Sequence, residues 1–224
     1  MRGGFKYCFE IKKIEENFNF MISFACISPH PPLLLPDVGS VKDRQKVGQT
    51  IKSLDSLGEK LRVVNPDSII ISSPHPDWGF NVPLHFLAPH FQGETKPYLM
   101  NMEPPKYYFE QGKKIFEEIK KDKKYALIGS GDLSHCLKDD GPYGFHPDGS
   151  RFDQALIDYL KKKDIRNILT LDEKYPDAGE CGLRSFCFVL GILEASEIDW
   201  QPEILSYEGP FGVGYLVGDF KLNS

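Results

Sequence analysis

The chain carries 27 Lys and Arg against 32 Asp and Glu over 224 residues, a formal net charge of −5, which argues against nucleic acid as its main partner. Its 41% hydrophobic and 26% charged residues are ordinary for a folded domain and exclude a collagen-like or disordered chain. The longest apolar runs, such as Ser68 to Ser73, are far too short to span a bilayer, so no membrane partner is expected. The five cysteines are odd in number and form no CxxC pair, which gives neither a disulfide framework nor a thiolate zinc cage and fits a reducing cytoplasm.

Residues 1–20 mix basic and acidic side chains without the continuous apolar segment of a secretory signal. They read as an extension ahead of a single domain spanning 21–224, or as a short helix packed through Phe5, Ile11, Ile14 and Phe18. At Met21 the composition turns apolar, and Ile22 to Ile27 is the first expected strand. Apolar residues then recur three or four apart from Val41 to Val64, which predicts one long helix stopped by Asn65-Pro66-Asp67. Ser68 to Ser73 is a second strand, unbroken in its apolar character as a doubly buried parallel strand would be. Between Pro74 and Pro105 no period persists, so irregular chain with one or two short strands is expected. Tyr108 to Lys121 reads as a helix, Tyr125 to Ser130 as a third buried strand and Ser150 to Lys163 as a further helix. Leu183 to Ala195 is apolar nearly all round and predicts a central buried helix. Glu203 to Glu208 and Val213 to Phe220 form a closing hairpin around Gly209-Pro210-Phe211-Gly212. This alternation predicts a three-layer α/β/α sandwich with a mostly parallel central sheet.

Three of the six histidines follow predicted strand ends: His30, His75 and His135. Ligands of open α/β sheets gather outside the carboxyl ends of the strands, so these side chains can share one crevice. Ser28-Pro29-His30-Pro31 and Ser73-Pro74-His75-Pro76 are identical tetrapeptides, and proline on both sides stiffens each loop. A single such loop reads as a plain turn; the matched pair favours half of a metal site. Gly131-Asp132-Leu133-Ser134-His135 adds a carboxylate and a third imidazole. Glu180 and Cys181, just before the buried helix, offer a carboxylate or a thiolate, although Glu180 also suits a helix N-terminus and Cys181 a small core position. His85, His90 and His146 carry no local signal for a ligand.

These motifs, together with Asp139 to Pro147, Gly179-Glu180-Cys181-Gly182 and Ser206 to Gly212, resemble the catalytic B-type subunit of class III extradiol ring-cleavage dioxygenases, over about Met21 to Phe220. The resemblance implies a mononuclear non-haem Fe(II) held by His30, His75 and Glu180, with Zn, Cu and Mn as alternative metals. It implies a small aromatic substrate opened with O2, His135 as general base and then acid, and Asp132 orienting it. His85 or His90 would be the position for a further acid-base histidine. The superfamily also contains Memo proteins, which carry a cysteine near the third ligand and act as metal-binding proteins, so Cys181 is the alternative to Glu180. A metal-dependent hydrolase using Zn and an activated water is a further alternative on the same scaffold. A homo-oligomer is compatible with all three.

Overall fold

The computed structural model describes residues 22–223, so the expected extension at 1–20 lies outside the described residues. Six strands form one sheet: β1 (Ile22–Ser28), β2 (Ser68–Ser73), β3 (Glu94–Leu99), β4 (Tyr125–Ser130), β5 (Asp199–Glu208) and β6 (Tyr215–Asn223), in the order β3-β2-β4-β1-β6-β5. β3, β2, β4 and β1 are parallel, while β6 runs antiparallel to β1 and to β5, the C-terminal hairpin. The mostly parallel sheet and the hairpin are those expected from the sequence.

Among the described residues eight α-helices surround it: α1 (Val41–Lys46), α2 (Gly48–Val64), α3 (Trp78–Leu87), α4 (Pro105–Glu118), α5 (Pro147–Lys161), the single turns α6 (Ile165–Ile168) and α7 (Leu171–Lys174), and α8 (Leu183–Ala195). Alternate strand residues feed opposite faces, as the two-residue period of a strand requires. Ala25, Ile27, Ile70 and Leu127 pack with Phe109, Phe152, Phe186 and Val189, whereas Cys26, Ile69, Ile71, Ala126 and Ile128 pack with Leu54, Leu57, Leu61, Val82 and Phe86. Both faces of the central strands are therefore covered, which is why those strands read as unbroken apolar runs.

Two local expectations are corrected. The single helix over Val41 to Val64 is two, α1 and α2, broken at Val47. α1 buries nothing, and α2 has its own N-terminal cap, because the Glu208 carboxylate accepts from the Thr50 amide and hydroxyl, both at 2.7 Å. The stretch from Pro74 to Pro105 contains the expected strand, β3, and also α3, which has Pro83 inside it. Proline removes one helical hydrogen bond and hides the segment from pattern reading, but burial of Val82, Phe86 and Leu87 against the sheet sustains the helix.

α4 and α8 approach so closely that backbone meets backbone. A Cβ built on Gly112 would collide with the Phe188 carbonyl, and one on Gly191 with the Phe109 carbonyl. The obstruction is main chain, so neither helix can yield by a rotamer change. Gly191→Ala is expected to lose about 1 kcal/mol, the roughly 2 kcal/mol typical of overpacking less the roughly 1 kcal/mol gained in helix propensity. Urea denaturation checks this, and a variant as stable as the parent would show that the helices can separate freely.

Candidate metal centre

The carboxyl ends of β1, β2 and β4 lie side by side, because Ser28 pairs with Ser130 and Ser72 with Gly129. Each of these strands ends in serine, and two residues beyond stand His30, His75 and Asp132. His30 and His75 meet with ring centroids 5.2 Å apart and planes at 66°. Trp78, 43% exposed, stands against His75 with centroids 5.3 Å apart and marks the open side.

Asp132 ties the loops together. Its Oδ1 accepts from the His30 amide at 3.0 Å, and its carbonyl accepts from the Cys181 and Gly182 amides at 3.3 and 2.9 Å. The backbones come together at Gly131 and Gly182, where a Cβ on Gly131 would collide with the Gly182 Cα. That approach sets Cys181 Sγ 3.5 Å from His30 Nε2 and 3.3 Å from the Asp132 amide, which donates to it. Burial, reinforced by the neighbouring His75, lowers the His30 pKa to about 3, so the ring is neutral and fit to ligate. Burial raises the Asp132 carboxyl to about 6 against the His30 amide and the histidines that lower it, and pushes the Cys181 thiol well above its usual value.

His30, His75 and Cys181 each present a ligand atom within 4.8 Å of the others, and Asp132, His135 and Cys181 form a second such group sharing the thiol. His135 stacks on the exposed Tyr143 ring at 5.4 Å, its buried Nδ1 has no hydrogen-bond partner among the described residues, and burial lowers its pKa. The structure thus brings together His30, His75, Asp132 and His135. Glu180 points elsewhere: its oxygens accept from the Leu183 amide at 2.7 Å and from Arg184 Nη1 at 3.1 Å, at the entrance to α8. Among the described residues, Glu180 belongs to neither ligand group, and Cys181 completes the one containing both strand-end histidines. His85 and His90 are exposed on and after α3 and join no such group. His146, with Asp148 and Asp177, forms a further group at the start of α5, also without a pattern that singled it out in the sequence. The donors at the strand ends, two imidazoles and a thiol with one ring nitrogen facing the sulfur, fit a divalent or thiophilic metal ion.

Residues 75–218, more than half of the chain, match the family described as the catalytic LigB subunit of aromatic ring-opening dioxygenase, and the chain belongs to that family. It is 28% identical to Protein CA_C1420 of Clostridium acetobutylicum over 84% of this chain and 55% of that protein. The chain thus spans about half the length of this curated relative. The crystal structure of the uncharacterized protein JW3007 from Escherichia coli K12 superposes with a TM-score of 0.59 at 14% identity, covering 89% of this chain and 99% of that one, a likeness of fold. No described helix is long and apolar enough to cross a membrane.

Beneath the site, Asp153 of α5 holds the loop of His135 in place. Its Oδ1 accepts from the Ser134 amide at 2.8 Å and its Oδ2 from the Tyr207 hydroxyl at 2.6 Å, joining the loop to β5. Burial raises its pKa from 3.8 to about 6, although both hydrogen bonds lower it. A carboxyl raised on folding contributes fully below about pH 4 and loses that contribution as pH rises through the folded value, a cost of up to about 3 kcal/mol once ionised. Asp153→Asn can keep an oxygen for Ser134 and turn its amide to the Tyr207 oxygen. The variant should therefore gain stability relative to the parent between pH 4 and 7, by up to about 3 kcal/mol. Urea curves across that range test it, and a difference that does not change with pH would mean that the carboxyl ionises without penalty.

Proposed function

We propose that the protein binds a metal ion through His30, His75 and Cys181 and acts as a metal-binding member of its family, handling a thiophilic ion such as copper, zinc or iron, rather than as a carboxylate-ligated Fe(II) ring-cleaving enzyme. The observation that carries this is the pairing of Cys181 Sγ with His30 Nε2 at 3.5 Å while both Glu180 oxygens are engaged by Leu183 and Arg184. A thiolate favours softer ions than a carboxylate does. The bound ion would supply Lewis acidity and, for copper or iron, one-electron chemistry. The chain's own groups do the rest: His30 offers a neutral ring nitrogen, Asp132 holds the His30 and Cys181 loops in register, and His135 stands ready to accept or give a proton beside the sulfur.

A second proposal, an Fe(II)-dependent extradiol dioxygenase opening a small catechol with O2, is favoured by the family match and by His135 lying within 4.8 Å of Asp132 and the thiol, positioned for general acid-base work. Metal analysis and anaerobic titration with Fe(II), Zn(II) and Cu(I) separate the two. Cys181→Ser and either His30→Ala or His75→Ala should abolish tight binding, whereas Glu180→Gln should retain the ion and lose only about 1–2 kcal/mol of stability through its helix end. Retention by Cys181→Ser with loss by Glu180→Gln would overturn the thiolate site. Oxygen uptake with a panel of catechols should be absent from the Fe(II)-loaded protein. If uptake with ring opening is found, and His135→Ala lowers it about 10²- to 10⁴-fold without loss of metal, the dioxygenase proposal replaces the first.

A further inference from the structure

The hydroxyl of Ser130, the last residue of β4, lies between two partners: His30 Nδ1 at 3.0 Å and the carbonyl oxygen of Gly79 in the first turn of α3. A serine hydroxyl has one hydrogen, and a carbonyl oxygen can only accept. Ser130 therefore donates to Gly79, which obliges it to accept at His30, so the hydrogen of the neutral ring resides on Nδ1. His30 Nε2 is left with its lone pair, facing Cys181 Sγ.

The Gly79 carbonyl is open to Ser130 for a reason written in the sequence. In an α-helix that oxygen would accept from the amide four residues on, and the residue there is Pro83, which has none. Gly79 is also needed as glycine, because a Cβ there would run into Ser73 Oγ and crowd His75 Cβ. The same turn of α3 thus seats against the His75 loop and anchors the partner of His30.

We propose that Pro83, the Gly79 carbonyl and Ser130 form a relay that fixes His30 as its Nδ1–H tautomer before any metal arrives, making Ser130 a positioning residue of the metal centre. The tautomer follows from the hydrogen bonds alone; its consequence for affinity rests on the proposed ligand set of His30, His75 and Cys181. A ring free to place its hydrogen on Nε2 would have to exchange tautomers before ligating, and loss of such an outer hydrogen bond lowers metal affinity by about 10- to 100-fold.

The test uses the full metal-free chain, 15N-labelled, at pH 7. Long-range 1H–15N correlation reads the tautomer of each histidine, with His30 assigned by its disappearance in His30→Gln, and Co(II) titration followed by absorbance reads affinity. The parent should show His30 as Nδ1–H. Ser130→Ala should move it toward Nε2–H and raise the Co(II) Kd about 10- to 100-fold, and Ser130→Thr, which keeps the hydroxyl, should restore both. An Nε2–H signal in the parent, or an unchanged tautomer in Ser130→Ala, overturns the relay even if Co(II) binds. A tautomer that shifts as expected in a chain that takes up no Co(II) upholds the relay and brings down the metal site instead.

Discussion

Asp132 joins three of the four segments that build the centre, all but the His75 loop, and the rest of the site depends on that junction. Its side chain holds the His30 amide, its carbonyl holds the amides of Cys181 and Gly182, and its own amide donates to the Cys181 sulfur. The exits of β1 and β4 and the entrance to α8 are therefore joined at a single residue. The junction requires main chain against main chain at Gly131 and Gly182, which side chains would prevent. Burying the carboxyl there is unfavourable for its ionised form, as its rise to about 6 shows, and the hydrogen bond from His30 offsets only part of that cost.

Parallel pairing supplies the other half of the geometry. With Ser28 level with Ser130 and Ser72 level with Gly129, the three central strands end together, so the residue two positions past each terminal serine reaches the same crevice. Antiparallel neighbours would have sent one of these loops to the far edge. The hairpin of β5 and β6 is placed outside β1 and contributes through Tyr207, whose bond to Asp153 supports the loop of His135 from below.

Three of the four parallel strands (β1, β2 and β4), the buried helix α8 and the hairpin are legible in the sequence because their signals are local: short apolar runs, an apolar helix and a Gly-Pro turn, whereas β3, Glu-Thr-Lys-Pro-Tyr-Leu, has no apolar run to mark it. The duplicated Ser-Pro-His-Pro likewise foretells the meeting of His30 and His75. What is not legible depends on partners far away in the chain. The break between α1 and α2 is capped by Glu208, 158 residues beyond Thr50. α3 is hidden by Pro83, whose loss of a hydrogen bond is tolerated only because the sheet covers Val82 and Phe86. Ser130 looks like any strand-end serine until the register sets it beside His30.

Glu180 and Cys181 show how adjacent side chains are sent to different partners in a way that residue type leaves open. Consecutive side chains at a helix entrance leave the backbone in different directions, so only one of the two can face the strand ends. The unpaired amides of the first turn of α8 attract the carboxylate: Glu180 accepts from Leu183 and, with Arg184 beside it, lies in the field of the helix N-terminus. Arg184 is itself held by Asp172 and the Glu103 carbonyl, so the carboxylate has a fixed cationic partner and would leave it unbalanced by swinging away. With Glu180 drawn to α8, the bonds that the Cys181 and Gly182 amides donate to the Asp132 carbonyl turn Cys181 inward, and its sulfur lies within 4.8 Å of a ring nitrogen of each of His30 and His75.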